Sequence, residues 1–313
     1  MSEPLATVVI VTWNGKAWLE RCLPAVEAQQ GVRFEIVVVD NGSTDGSAEW
    51  IERHFPSVRL IRNRVNRGFA AATNQGLAVA RGQYLATLNN DAIAEPDWLA
   101  ALVDACEADN NLAMVASRMV RLDDPTRFDS AGVAPDRFGF AWNLRAGEKV
   151  PARDAPREVF GACAGAALYR RSMLEDVGLF DERFISYYED VDLAWRAQLR
   201  GWPGRYVPSA VVRHAHSATG RRLPAQKQFL LGRNRLLTAL KNIPQPGLAL
   251  ALLASPLLDG AAVARGLLRG ETASLFGRLA VLRELAVVWQ QRRRIQRRAI
   301  VGWREIAPLL VKP

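Results

Sequence analysis

Cysteine is scarce in this chain. Cys22, Cys106 and Cys163 are isolated among 313 residues, odd in number and without metal-type spacing. A disulfide framework is thereby excluded, and a reducing cytoplasm is the simplest home. Glycine-rich phosphate loops are missing as well. No G-x-G-x-x-G follows the first apolar run and no P-loop lysine motif occurs, which disfavours a dinucleotide dehydrogenase or an NTPase. Residues 5–11 form only a short apolar run with no basic region ahead of it, so no secretory signal peptide is expected. Basic charge is nearly absent as an excess until late in the chain. Of the net +9, the segment from Arg265 onward contributes 11 Lys/Arg against 3 Asp/Glu, leaving 30 against 29 before it. A nucleic-acid enzyme would carry its basic surface around the active site. No nucleic-acid partner is expected, and the basic tail suits an anionic surface.

What is present is a regular alternation. Residues 7–12 (Thr-Val-Val-Ile-Val-Thr) and 34–39 are β-branched or apolar runs of strand length, and 58–61 and 84–88 are shorter ones. Between them lie helical patterns over 17–29, 47–54 and from Asn66 to about Ala80. Strand alternating with helix predicts an α/β fold with a parallel sheet covered by helices on both faces. A helix over 97–109 and a strand over 114–121 extend the pattern. Residues 123–157, rich in Pro, Arg and Asp, read as a long surface excursion of the kind that forms binding loops or lids. Residues 160–169 are small and apolar and allow close approach of a ligand or a second backbone.

The chemistry gathers where strands end. The 84–88 strand runs straight into Asn89, Asn90 and Asp91, at the position where open α/β sheets hold ligands. Asn89 and Asp91, two positions apart, can face one way and hold a metal-bound diphosphate, since hard divalent ions take carboxylate and phosphate oxygens. A solvated turn is the competing explanation. The turn-rich 40–46 loop places Asp40 where a carboxylate can accept from a nucleobase imide or a ribose hydroxyl. Asn66 to Phe69 opens a helix, whose free backbone N–H groups suit a phosphate. Glu189, Asp190 and Asp192 fall in the first turn of another helix. There they either complement its dipole, or one of them is a general base that the dipole holds ionised at neutral pH. His214, near a strand end, is either structural or a ligand for Mn²⁺ and similar ions.

Taken in order, these segments resemble the family 2 glycosyltransferases, in particular the bacterial rhamnosyltransferase-like group. The matching stretches are residues 8–14, 38–46, 66–70, 89–91, 178–182 and 189–193 with Arg196, and His214. Together they span about residues 5 to 240. The resemblance implies a GT-A fold and an inverting, metal-assisted transfer of one sugar, with rhamnose a candidate, from a dTDP- or UDP-sugar. Thr12, Asn14 and Asp40 would line the nucleoside pocket, with Asn41 and Gly68 near it. Asn89-Asn90-Asp91 stands where the family has its D-x-D-type motif, with Asn89 replacing the first Asp. Asp91 and His214 would bind Mg²⁺ or Mn²⁺, with His216 a close competitor for the second place. Asp190 is the candidate base, supported by Glu189 and Asp192. The Q-x-x-R-W motif of processive members is absent, so one sugar per acceptor encounter is expected.

The implied domain is 1–240, divided near residue 105 into a nucleotide half and an acceptor half. The 241–313 remainder reads as helical and basic. Residues 248–263 are apolar apart from Asp259, 275–289 are amphipathic, and 292–298 are Arg-rich. This is the pattern of a segment lying on an anionic membrane, here the inner face of the plasma membrane. A packed helical hairpin with a solvated basic face is the other explanation. Membrane attachment suits a glycan or polyprenyl-diphosphate-linked acceptor. Two other functions compete: a sugar nucleotidyltransferase, and a catalytically impaired homologue acting as a membrane scaffold.

Overall fold

A computed structural model describes residues 3–215 and 223–312. Its first half follows the alternation read above: β1 (Ala6–Thr12), α1 (Lys16–Glu27), β2 (Phe34–Asp40), α2 (Ser47–His54), β3 (Arg59–Arg62), α3 (Phe69–Val79) and β4 (Tyr84–Asn89). Next come β5 (Ala92–Ala94), α4 (Trp98–Glu107), β6 (Met114–Arg121), β7 (Phe128–Ser130), β8 (Val133–Pro135), β9 (Ala141–Asn143), β10 (Arg157–Val159) and β11 (Ala166–Arg170). The chain closes with α5 (Arg171–Val177), α6 (Glu189–Leu199), β12 (Gly204–His214), α7 (Pro224–Asn242), α8 (Gly247–Leu268), α9 (Ala273–Ala280), α10 (Leu285–Arg298) and α11 (Trp303–Ile306).

One sheet runs in the order β10-β12-β6-β11-β4-β1-β2-β3, with β5 on β12 and β7 on β6. Strands β1 to β4 are mutually parallel, as continuous apolar runs buried on both faces should be. The period-2 alternation divides their side chains between two cores. Val8 and Ile10 pack with Leu19, Leu23, Trp98 and Leu102 on one side, while Val9 and Val37 pack with Leu77 and Ala70 on the other. Only β11 is antiparallel between β4 and β6, and β12 returns parallel to β6. The sheet is therefore continuous across the residue-105 division expected from sequence. The register sets Thr12 opposite Asp40 and Val11 opposite Asn89, so the polar residues ending β1, β2 and β4 share one edge. His214, last in β12, comes to that same edge.

Three segments differ from expectation. The 123–157 stretch is not simply a surface excursion: Phe128, Asp129, Ser130, Ala131, Val133 and Ala134 are buried. Its strands are three residues long, too short to show a period. The amphipathic 275–289 segment is interrupted by a 3₁₀ turn at Val281–Glu284 between α9 and α10. Helix α7 continues to Asn242, so the break in the chain falls at residues 243–246 rather than at 240.

Candidate active site

A cleft of about 770 Å³ opens at the carboxyl edge of the sheet, lined among others by Asn41, Gly68, Asn89, Asn90, Asp91, Glu189, Asp190 and His214. The two carboxylates a hundred positions apart, Asp91 and Asp190, thus share one cavity. One short segment ties the two sides together. The Ala164 N–H donates to Asp190 Oδ2 at 3.2 Å, and the next carbonyl, Gly165, accepts from the Asn89 N–H at 2.9 Å.

On the first side, Asn90 is fixed by donating to Thr12 Oγ1 at 2.9 Å. Gly15 is required for this, because a Cβ there would lie 2.1 Å from the Asn90 amide nitrogen. Thr12 and Asp40 are buried beneath the lining rather than in it, and the half-buried Val11 and Trp13 line the cleft. Asp40 Oδ1 accepts from the Ser43 N–H, and Asn14 Oδ1 accepts from the Thr44 N–H at 2.8 Å, so both order the 40–46 loop. Asn41 is similarly engaged, receiving the Arg67 N–H at 3.0 Å and donating to the Gly68 carbonyl. The start of α3 is not the open phosphate cradle expected from sequence. The N–H groups of Arg67, Gly68 and Ala70 already bond Asn41, Asn66 and the Ile185 carbonyl. An anion here meets the Arg67 side chain instead, which lines the cleft.

His214 is buried with both ring nitrogens engaged. Nδ1 lies 2.7 Å from Asp129 Oδ2, while Nε2 lies 3.1 Å from Asp91 Oδ1 and 3.2 Å from the Asn89 amide. Burial disfavours the imidazolium, but the two carboxylates outweigh it and hold the His214 pKa up at about 9. Among the described residues no group of three His, Cys, Asp or Glu side chains is set to hold a metal ion. The donor set nevertheless fits a divalent ion that draws its remaining oxygens from a diphosphate. Asp91 and His214 face each other, and Asp129 grips the far ring nitrogen as carboxylates do behind metal-bound histidines. A metal would have to displace the imidazole proton. His216 lies outside the described residues.

On the other side, Glu189 and Asp190 open α6. Asp190 has its oxygens on the N–H groups of Ala164 and Val191. Burial raises its pKa against those bonds, so the helix start alone does not hold it down as expected. Glu189 is raised well above the ordinary range by burial and then by the Asp190 charge, and its Oε2 has no hydrogen-bond partner. Both carboxyls of the pair thus bind a proton more readily than free ones, Glu189 the more strongly. Asp192 does not belong with them. It turns away from the cleft with no exposure, accepting from Arg196 at 2.9 Å and from Asn242 at 2.7 Å, with Lys241 Nζ also 2.7 Å away. One hundred degrees per residue carries position 192 to the opposite face of the helix from 190.

The approach to α6 is strained. Ile185, Tyr187 and Tyr188 have φ of 65°, 67° and 69°, each costing on the order of 1–3 kcal/mol outside glycine. Asn234 of α7, fully buried, holds the segment by donating to the carbonyls of Phe184, Ser186 and Tyr187 at 2.8, 3.0 and 2.8 Å. Gly68 makes room opposite, since a Cβ there would come within 2.8 Å of Ile185. Asp129 and Asn234 escape the sequence reading. Asp129 lies in a segment without periodicity. Asn234 leaves one trace, an amide among the inward positions Leu230, Leu237 and Lys241 of α7.

Comparison with known proteins points one way. The family model described as "Glycosyl transferase family 2" matches residues 7–178. An N-acetylglucosaminyl-diphospho-decaprenol L-rhamnosyltransferase of Mycobacterium tuberculosis is 31% identical over 68% of this chain and 77% of its own. A pre-mycofactocin glycosyltransferase of the same organism is 31% identical over 72% of this chain and 46% of its own. Among solved structures, a mannosyltransferase from Pyrobaculum calidifontis in complex with GDP-Man and Mn²⁺ superposes with a TM-score of 0.54 at 21% identity, over 91% of this chain and 88% of that one. GalNAc-T7 with UDP, GalNAc and Mn²⁺ gives a TM-score of 0.57 at 20% identity, over 68% of this chain and 44% of that one. The fold is the GT-A fold.

Proposed function

The chain belongs to glycosyl transferase family 2 and is a glycosyltransferase, and on that footing we propose that it moves one sugar, with inversion, from a nucleoside-diphosphate sugar to an acceptor hydroxyl. The observation that carries this reading is the shared cleft of Asp91 and Asp190, joined through Ala164 and Gly165. Asp190 takes the proton of the attacking hydroxyl as general base, while Glu189 beside it, its pKa pushed well up by burial, resists a second negative charge in the site. Asp91 and His214 would hold a divalent ion, Mg²⁺ or Mn²⁺, which would supply Lewis acidity toward the leaving diphosphate. Arg67 adds a fixed cation on the same wall. The named rhamnosyltransferase relative supports rhamnose as a candidate sugar and a polyprenyl-diphosphate-linked acceptor, with a dTDP- or UDP-sugar as the donor of this proposal.

Such an acceptor lies in a membrane, and the C-terminal helices suit attachment to the inner face of the plasma membrane. Helix α8 is long and apolar enough to cross a bilayer, with only 17% of its most apolar window buried. Its Asp259, however, pairs inward with Arg235 and Arg278, which ties it along the protein. Exposed Leu253 and Leu257 face out, with Arg265, Arg269 and Arg283 nearby in the chain. An apolar face flanked by arginines favours in-plane binding to anionic lipid.

Replacing Asp190→Asn tests the core of the proposal. Nucleotide binding, followed by calorimetry, should persist while sugar transfer drops by about a hundredfold or more. Transfer near the wild-type rate rejects Asp190 as the base.

A further inference from the structure

The cleft is polar at its base and apolar at one lip. Among the described residues before α8, five large apolar side chains are exposed: Val65, Trp142, Ile185, Leu223 and Leu231. Four of the five, all but Val65, line this one cleft. Scattered exposed leucines need no explanation, but a cluster on the rim of a ligand site does.

The lip has a definite construction. Leu223, Gln226, Lys227, Leu230 and Leu231 all line the cleft, which is the i, i+3, i+4, i+7, i+8 face of the first two turns of α7. Ile185 is fixed opposite by the close approach of Gly68 and the Ala70 N–H. Trp142 of β9 stands 47% exposed on the third side. Lys227, with its Nζ 5.6 Å from the Tyr187 ring centroid, places a cation on the same helical face as the leucines. The lip also continues toward the apolar C-terminal surface. Helix α9 is seated on α7 so closely that a Cβ at Gly277 would lie 2.1 Å from the Phe229 carbonyl oxygen. Beyond that seat, Phe276 and Leu279 of α9 are exposed. Helix α7 therefore carries the cleft rim at one end and the outward apolar helices on its flank.

We propose that this lip is the subsite for the hydrocarbon chain of the acceptor, a prenyl-diphosphate-linked sugar that supplies the attacking hydroxyl and whose tail crosses Trp142, Ile185, Leu223 and Leu231 on its way to the bilayer, with Lys227 on the side of its phosphates. The inference rests on the glycosyltransfer reading and assigns a place to the lipid part of its acceptor. Beside Gln226 and Lys227, these four side chains offer apolar surface apart from one indole N–H, which matches a hydrocarbon chain better than a run of sugar hydroxyls.

The full chain, saturated with Mn²⁺ and a nucleoside diphosphate so that the donor half is filled, is titrated with geranyl, farnesyl and geranylgeranyl diphosphate and with inorganic diphosphate. Affinity should rise at least threefold with each added isoprene unit, because each buries further apolar surface. Leu231→Ser and Trp142→Ala should each weaken geranylgeranyl diphosphate about tenfold and flatten the dependence on length. Leu253→Ser and Leu257→Ser on α8 should change neither, with thermal melting confirming that all four variants are folded. Affinity independent of prenyl length overturns the proposal. So does a length dependence that survives both lip variants, or one that only the α8 variants remove. The readout needs no sugar transfer, so a chain that binds prenyl diphosphates in this way but transfers no sugar leaves the lip standing and removes the glycosyltransfer reading.

Discussion

The two faces of α6 carry the same chemistry to opposite ends. Asp190 and Asp192 are two residues apart at the start of one helix, the first half-buried on the cleft and the second fully buried. On the cleft face, Asp190 accepts from backbone N–H groups and lies beside Glu189, whose pKa burial pushes well up. Burial raises the Asp190 pKa despite those bonds, so the carboxylate stays available to a proton. On the opposite face, Asp192 meets Arg196, Lys241 and Asn242, and these partners hold its pKa below the ordinary carboxylate value despite burial. A fully paired carboxylate is a poor base and a good anchor. What separates the proposed base from the strut is the set of partners, and two of those three, Lys241 and Asn242, come from α7.

The contrast is open to direct attack. The largest effect is expected at Asp192→Asn, which leaves Lys241 and Arg196 short of a buried counter-charge. Stability should fall by about 3–5 kcal/mol, read by urea denaturation, while turnover per folded molecule changes little. Equal losses of turnover at positions 190 and 192 would erase the distinction between the faces. Next comes the carboxylate behind His214. Asp129→Asn should weaken Mn²⁺ binding by about 10–100-fold, measured by calorimetry on the protein with nucleotide bound, and unchanged affinity would remove Asp129 from the site.

A smaller effect is expected at Glu189. If its role on the cleft face is to be neutral, Glu189→Gln should keep turnover within about threefold at neutral pH. Glu189→Ala, which opens space beside the base, should lose about tenfold or more. A Gln variant as poor as the Ala variant would mean that the charge on Glu189 matters. The last effect is gradual. Asp181 and Asp192 both have lowered pKa values, Asp192 chiefly because Lys241 and Arg196 offset burial, and Asp181 because Arg183 and Lys241 do. Their contribution is complete above the unfolded value near 3.8 and is lost as pH falls through the lower folded values. Thermal melting should therefore drop steeply below about pH 4, and Lys241→Met should flatten that slope.

Much of this architecture is legible in one dimension. The β-branched runs at 7–12 and 34–39 are short, apolar on both faces and separated by helical periods, so the layered α/β arrangement and the polar strand ends at Asp40 and Asn89 follow from local pattern. The basic, apolar character of the tail follows equally from composition. Partnership is what pattern does not carry. Asp129 reaches His214 from a strand of three residues, and Asn234 clamps a loop nearly fifty positions earlier. The N–H groups at the start of α3 look free until Asn41 and Ile185 are seen to occupy them. Sequence by itself thus determined the sheet, the family and the residues able to do chemistry, because hydrophobic period and turn chemistry act over a few neighbours. Only the tertiary structure decided which carboxylate is left unpaired, which histidine nitrogen is held, and where the apolar lip lies. Charge pairing and burial depend on groups distant in the chain, and no local pattern records them.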